Sequence, residues 1–185
     1  RLREFAAGRL AARRALAEFG LTSHPLDMKS DRRPHWPEVL TGSISHTAEG
    51  CGVVVASHNR FRALGLDLEI IGQVTPEIWP LLCTLEEAAW LKRLDTREQM
   101  RGAALIFSAK EAFYKCQYQV TQQWLEFGDV TLDIAFTGMH AGYFTVRPCT
   151  EIMLLEAAAP PWHGRFRLHG GLVITGMALQ TPFRK

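Results

Sequence analysis

Apolar residues recur at helical spacing in some stretches of this chain and alternate with polar ones in others. Leu2, Phe5, Ala6, Ala12, Leu16 and Phe19 form a helical stripe, and Gly20 followed by Leu21 supplies its stop. Thr84-Leu85-Glu86-Glu87 has the form of a capping box and predicts a helix to about Leu94. From Ala103 to Trp124 neither Gly nor Pro interrupts a run rich in Ala, Leu, Lys, Glu and Gln, so a long helix opening near Thr96 is expected. Phe107, Glu111, Tyr114 and Tyr118 fall at i, i+4, i+7 and i+11 of that helix and share one face, apolar except for Glu111.

Strand patterns fill much of the remainder. Gly42–His46 is short and strand-like, and Cys51–Ala56 reads as a buried strand. Leu64-Gly65-Leu66-Asp67-Leu68-Glu69-Ile70 alternates cleanly, with four aliphatics on one face and Asp67 and Glu69 on the other. Downstream, residues 129–136, 142–147, 152–156, 164–168 and 172–178 read as strands between turn residues. Residues 22–42 are irregular, broken by Pro25, Pro34 and Pro37. Helix followed by antiparallel strands therefore occurs twice. The expected fold class is α+β: two pseudo-symmetric halves, residues 1–72 and 73–185, each a helix packed on a small antiparallel sheet.

Composition narrows the class without naming it. The 185 residues suffice for a sizeable core, and 47% hydrophobic with 22% charged residues is ordinary globular usage. A net charge of +2 argues weakly against a nucleic-acid substrate. No apolar run approaches the ~20 residues that span a bilayer, and no signal peptide is visible. Cys51, Cys83, Cys116 and Cys149 are scattered, without a CxxC or Cys/His cluster, and read as reduced thiols of a cytoplasmic protein.

The candidate chemistry lies in carboxylates. A carboxylate on a packing face is costly unless a cation, metal or proton compensates it, which singles out Glu111. Lys115, four residues on, is within reach of it; Lys110 is its neighbour in sequence but points elsewhere. Taken alone, the stretch is first an ordinary Glu–Lys helical pair. Asp67 and Glu69, at i and i+2 of a strand, bring like charges together, and a hard divalent cation such as Mg²⁺ relieves such repulsion. A strand whose polar face meets water explains the same pattern.

Gly42-Ser43-Ile44-Ser45-His46, Gly65-Leu66-Asp67-Leu68-Glu69 and Phe107-Ser108-Ala109-Lys110-Glu111-Ala112-Phe113-Tyr114-Lys115, in that order, resemble the three signature motifs of 4′-phosphopantetheinyl transferases, more narrowly the siderophore-synthase type. The resemblance runs from Arg1 to about Val130. It implies transfer of the 4′-phosphopantetheine arm of coenzyme A to a serine of an acyl or peptidyl carrier protein, with the active site in a cleft between the two halves. By resemblance Asp67, Glu69 and Glu111 hold Mg²⁺, Glu111 is the candidate base, and Lys115 neutralises or protonates the leaving group. Arg9, Arg32, Arg33, Pro34, Ser45, His46, Lys110 and Lys115 are the implied coenzyme A contacts. Arg9 is assigned to the nucleotide end, Arg32 or Arg33 to the 3′-phosphate, and Lys110 and His46 to phosphate. The resemblance also implies a monomer, and since family members carry an N-terminal extension while this chain opens at Arg1 without Met, a fragment or a trimmed chain is expected. Two other classes share some of these features: a Mg²⁺-dependent nuclease and a non-catalytic coenzyme A-binding module.

Overall fold

The computed structural model describes residues 2–31, 33–149 and 162–182. In chain order they form α1 (Leu2–Ala17), β1 (Leu40–Thr47), β2 (Gly50–Ser57), β3 (Phe61–Ile70), α2 (Trp79–Leu82), α3 (Leu85–Lys92), α4 (Thr96–Thr121), β4 (Val130–Gly138), β5 (Ala141–Pro148), β6 (Trp162–His169) and β7 (Leu172–Gln180).

Local sequence accounts for most of the boundaries. Gly20 takes a left-handed φ of 78° after α1. Its N–H donates to the Ala17 carbonyl at 2.9 Å and the Leu21 N–H to Leu16 at 3.1 Å, a Schellman closure that needs a residue free of Cβ strain. The capping box is present: the Glu87 N–H donates to Thr84 Oγ1, and Glu87 Oε2 accepts from the Thr84 N–H at 2.7 Å. Asp95 caps α4 by accepting from the Glu98 N–H. The strand expected at 152–156 lies outside the described residues.

The α+β expectation holds, with two helix-on-sheet units of unequal size. Strands β1 and β2 make a two-stranded antiparallel sheet, and the other sheet runs β3-β7-β6-β5-β4. Ala12 and Leu16 of α1 share a small core with Leu26, Leu40, Val53 and Val55. Helix α4 lies on the large sheet, where Ala109 and Phe113 join Trp162, Phe166, Val173 and Met177 in the main core. Phe113 meets Trp162 edge-on at 5.5 Å.

Two sequence expectations are altered by long-range contacts. The boundary at residue 72 runs through the large sheet, because β3 pairs with β7 in antiparallel register, Asp67 opposite Thr175. The tight turn after Ser57 suggests a continuous meander, and only the pairing partner decides otherwise. The Phe107–Glu111–Tyr114–Tyr118 face of α4 is half-buried and not the packing face. The buried face carries Ala109, Ala112, Phe113 and Cys116.

One glycine sets how closely α4 meets β3. A Cβ on Gly65 would stand 1.8 Å from the Ala112 carbonyl oxygen, and backbone cannot yield as a side-chain tip does. Gly65→Ala is therefore expected to cost about 3 kcal/mol or more, at or beyond the usual overpacking penalty. A thermal melt checks this; a midpoint within about 2 °C of the parent would contradict the close approach.

Candidate active site

Gly65 allows α4 near enough to β3 for Lys115 to reach Asp67. Lys115 Nζ donates to Asp67 Oδ1 at 2.6 Å and to the Leu66 carbonyl at 3.3 Å, with Ser45 Oγ at 3.5 Å. Asp67 is 5% exposed. Its Oδ1 also accepts from Ser45 Oγ at 2.9 Å, whereas Oδ2 is buried without a partner among the described residues. Such an orphan is costly unless a cation or substrate group completes it.

Glu69 and Glu111 stand in the same electrostatic field. Burial pushes the Glu111 carboxyl above its ordinary range; Lys115 opposes that rise and Asp67 adds to it. Glu69 is raised by burial as well, against a hydrogen bond from the Ile70 N–H, and the nearby Asp67 and Glu111 raise it further. The Asp67 charge thus disfavours ionisation of both glutamates, and that of Glu111 disfavours ionisation of Glu69. The three carboxylates do not yet converge: among the described residues no three His, Cys, Asp or Glu side chains form a ready metal-holding cluster.

Beside Lys115 opens a cleft of about 560 Å³ between β1, the loop before it and the C-terminal part of α4. Lys29, Arg33, Arg62 and Lys115 bring positive charge to its walls, against Asp31 and Glu38. Arg33 spans it. Its guanidinium pairs with Asp31 at 2.6 Å, donates to Gln122 Oε1 at 2.8 Å and lies over the Tyr118 ring at 4.7 Å. Tyr118 stacks on Tyr114, which meets Trp124 edge-on. A second pocket of about 100 Å³, lined by Glu111, Phe113, Leu125 and Phe127, adjoins the cleft through Tyr114 and Trp124.

The implied coenzyme A contacts separate into groups here. Arg33, Pro34 and Lys115 line the cleft. Arg32 lies outside the described residues. Arg9 does not line the cleft: it donates to the carbonyls of Leu26 and Asp27, tying α1 to the base of the loop that carries Lys29 to His35. His46 is exposed at the end of β1, two residues past cleft-lining Ile44. Ser45 is 5% exposed; its hydroxyl accepts from the Leu68 N–H at 3.1 Å while donating to Asp67. In this arrangement it orients the Asp67 carboxylate.

Lys110 is the clearest correction. The resemblance implies a phosphate contact, but the side chain is 2% exposed and turned into the core. All three ammonium protons are spent on Glu87 Oε2 at 2.7 Å, the Leu82 carbonyl at 2.9 Å and the Phe127 carbonyl at 2.7 Å. Glu87, read from sequence only as a cap, is its buried counterion and also accepts from the Leu132 N–H. Sequence reading passed over Gln119 as well, although it stands one helical turn beyond Lys115.

Comparison with known proteins agrees with this arrangement. A family model described as the 4′-phosphopantetheinyl transferase superfamily matches residues 63–175, and one described as the 4′-phosphopantetheinyl transferase N-terminal domain matches residues 1–56. The gap between them falls in the β2–β3 turn. Among solved structures, a holo-(acyl-carrier-protein) synthase from Bacillus anthracis str. Ames in complex with CoA (3′,5′-ADP) superposes with a TM-score of 0.50 at 16% identity, covering 66% of this chain and 99% of that one, which shows a shared fold. The chain is 32% identical to 4′-phosphopantetheinyl transferase Svp of Streptomyces mobaraensis, over 98% of this chain and 74% of that protein. It is 38% identical to enterobactin synthase component D of Salmonella typhi, over 97% of this chain and 73% of that protein. The chain belongs to the 4′-phosphopantetheinyl transferase superfamily and is an enzyme of that class, which displaces the nuclease and binding-module alternatives.

Proposed function

We propose that this protein transfers the 4′-phosphopantetheine arm of coenzyme A to a serine hydroxyl of an acyl or peptidyl carrier protein, converting apo carrier to holo carrier. The observation that carries this reading is the Lys115–Asp67 pair, with its orphaned Oδ2 and two neighbouring carboxylates, at the wall of a basic cleft. The 38% identity to enterobactin synthase component D favours a siderophore-type peptidyl carrier as the acceptor.

The serine oxygen forms a bond to the β-phosphorus, the bond from that phosphorus to the bridging pyrophosphate oxygen breaks, and 3′,5′-adenosine bisphosphate leaves. Catalysis of this kind is mostly positioning and charge stabilisation. Lys115 makes one short donation, to Asp67 at 2.6 Å, and its longer ones to Leu66 and Ser45, at 3.3 and 3.5 Å, can give way to the leaving phosphate. Burial raises the Glu111 carboxyl above its ordinary range, which makes its carboxylate a stronger base, and Glu111 is our candidate to take the serine proton. The smaller pocket beyond Tyr114 and Trp124, where Phe113, Leu125 and Phe127 stand beside Glu111, gives the pantetheine arm an apolar wall next to the charged centre.

The donor set fits a hard divalent cation in its chemistry, since carboxylate oxygens that repel one another and an unsatisfied Asp67 Oδ2 are what Mg²⁺ satisfies. Asp67, Glu69 and Glu111 would hold it. Bound there, Mg²⁺ would neutralise pyrophosphate charge.

The test is mass spectrometry of an apo peptidyl carrier protein from a siderophore synthase, incubated with the chain, coenzyme A and Mg²⁺. A gain of about 340 Da, from the composition of the arm, is expected. Chelator should stop the reaction and Mn²⁺ restore part of it. An unmodified carrier would overturn the reading. On the nucleotide side, Arg33→Ala is expected to raise KM for coenzyme A while leaving dephospho-coenzyme A nearly unchanged. Steady-state kinetics with both substrates decides, and an equal effect would assign Arg33 to bracing the loop against Tyr118 and Gln122.

A further inference from the structure

Strands β1 and β3 run side by side, yet among the described residues β1 pairs only with β2 and β3 only with β7. Side chains do the work of the missing ladder. The Leu66 and Leu68 N–H groups of β3 donate to the hydroxyls of Ser43 and Ser45, at 3.0 and 3.1 Å. The Leu66 carbonyl accepts from Lys115 and the Leu64 carbonyl from Gln119 Nε2 at 2.6 Å. Gln119 Nε2 also donates to the Lys115 carbonyl at 2.8 Å and approaches the Gly42 carbonyl at 3.5 Å, while its Oε1 accepts from Thr41 Oγ1 at 2.7 Å. A single amide therefore ties β1, β3 and α4 together one helical turn from Lys115.

We propose that Gln119 is a positioning residue for Lys115. It holds α4 in register against the edge of β3, so that the ammonium of Lys115 meets Asp67 Oδ1 and faces the cleft. The role rests on the transferase reading above. Three features single Gln119 out. It lines the cleft together with Lys115 and Thr41, so its bonds lie at the wall where substrate is held. It takes the β3 carbonyl next in line to the one Lys115 takes, so the two side chains read one strand edge in tandem. None of its bonds is to the Lys115 ammonium, so a turn of that group toward a phosphate would leave the seam between the sheets closed by Gln119 and the two serines. Misplacement of a catalytic group by about 1 Å costs up to about 10²-fold in rate, so one amide at this point has leverage over turnover.

The test is a double-mutant cycle of Gln119→Met with Lys115→Ala, read as carrier modification in single turnover and in steady state, with a thermal melt of each variant. Met keeps the length of the side chain and removes both polar atoms. Gln119→Met is expected to lower kcat about tenfold and to change KM for coenzyme A less than about threefold, because the Arg33 loop still holds the nucleotide. In the Lys115→Ala background the same change should cost less than about twofold, since the group it positions is gone. Equal cost in both backgrounds, or a kcat loss that only tracks the melting temperature, would overturn the role and leave Gln119 a structural tie. Where Lys115→Ala is too slow to time, the split between kcat and KM at unchanged melting temperature decides. If Gln119→Met fails to fold, Thr41→Val, which releases only Oε1, takes its place in the cycle with the same criteria. A parent chain that leaves the carrier unmodified overturns the transferase reading and the positioning role with it; an active parent with an unaffected Gln119→Met variant overturns the positioning role alone.

Discussion

Asp67→Ala is expected to lower the rate of carrier modification about 10²-fold or more, the scale found when one preorganised electrostatic group is removed from an active site. Its carboxylate is the point where three sources of order meet. Ser45 donates to Oδ1, Lys115 donates to the same oxygen, and Oδ2 is left buried for a further partner. Alanine removes the Lys115 counterion and the orphaned oxygen together. Glu69→Ala and Glu111→Ala should show losses of similar size, because each removes a carboxylate proposed to hold the divalent cation, and Glu111 the proposed base as well. Removing Asp67 also relieves repulsion, so the folded state should survive it. Carrier modification followed by mass spectrometry, with circular dichroism on each variant, checks the point. Rates within about threefold of the parent in all three folded variants would place the reaction elsewhere.

The second large effect falls on stability. Glu87→Ala should cost about 3–5 kcal/mol, because it leaves the Lys110 ammonium buried without its counterion. It also strips an acceptor from the Thr84 and Leu132 N–H groups. For a chain of this size the melting midpoint should fall by roughly 10 °C. Replacing both charges, as Glu87→Gln with Lys110→Met, should recover a large part of that loss, since a buried pair exchanged for neutral groups of similar shape is often near neutral. The paired variant should also keep its activity per folded molecule. That outcome separates the two roles considered for Lys110: a phosphate contact would make the pair inactive however well it folds.

Lys110 shows where sequence reasoning reaches its limit. Successive helical residues point about 100° apart, so neighbours Lys110 and Glu111 must face different surroundings. The pattern says that Lys110 points away from Glu111 but not what it meets. Its three acceptors come from residues 82, 87 and 127, far from it in the chain. Ser45 is similar, for its place in a motif suggested substrate, while the fold directs its hydroxyl to Asp67 and the β3 backbone.

The amino-acid sequence by itself determined the local elements and the chemical character of the site. The capping box at Thr84, the Gly20 closure, the length of α4 and the pairing of Asp67 with Glu69 on one strand face follow from short-range sterics and hydrogen bonding, which neighbouring residues set. Tertiary structure alone decided that β3 joins β7, that α4 meets β3 across Gly65, and that the seam between β1 and β3 is closed by Ser43, Ser45, Lys115 and Gln119. Those contacts join residues more than 100 positions apart, such as Asp67 opposite Thr175 and Phe61 opposite Gln180. Their register depends on which backbone groups the whole chain leaves unpaired, a quantity that no local window of sequence contains.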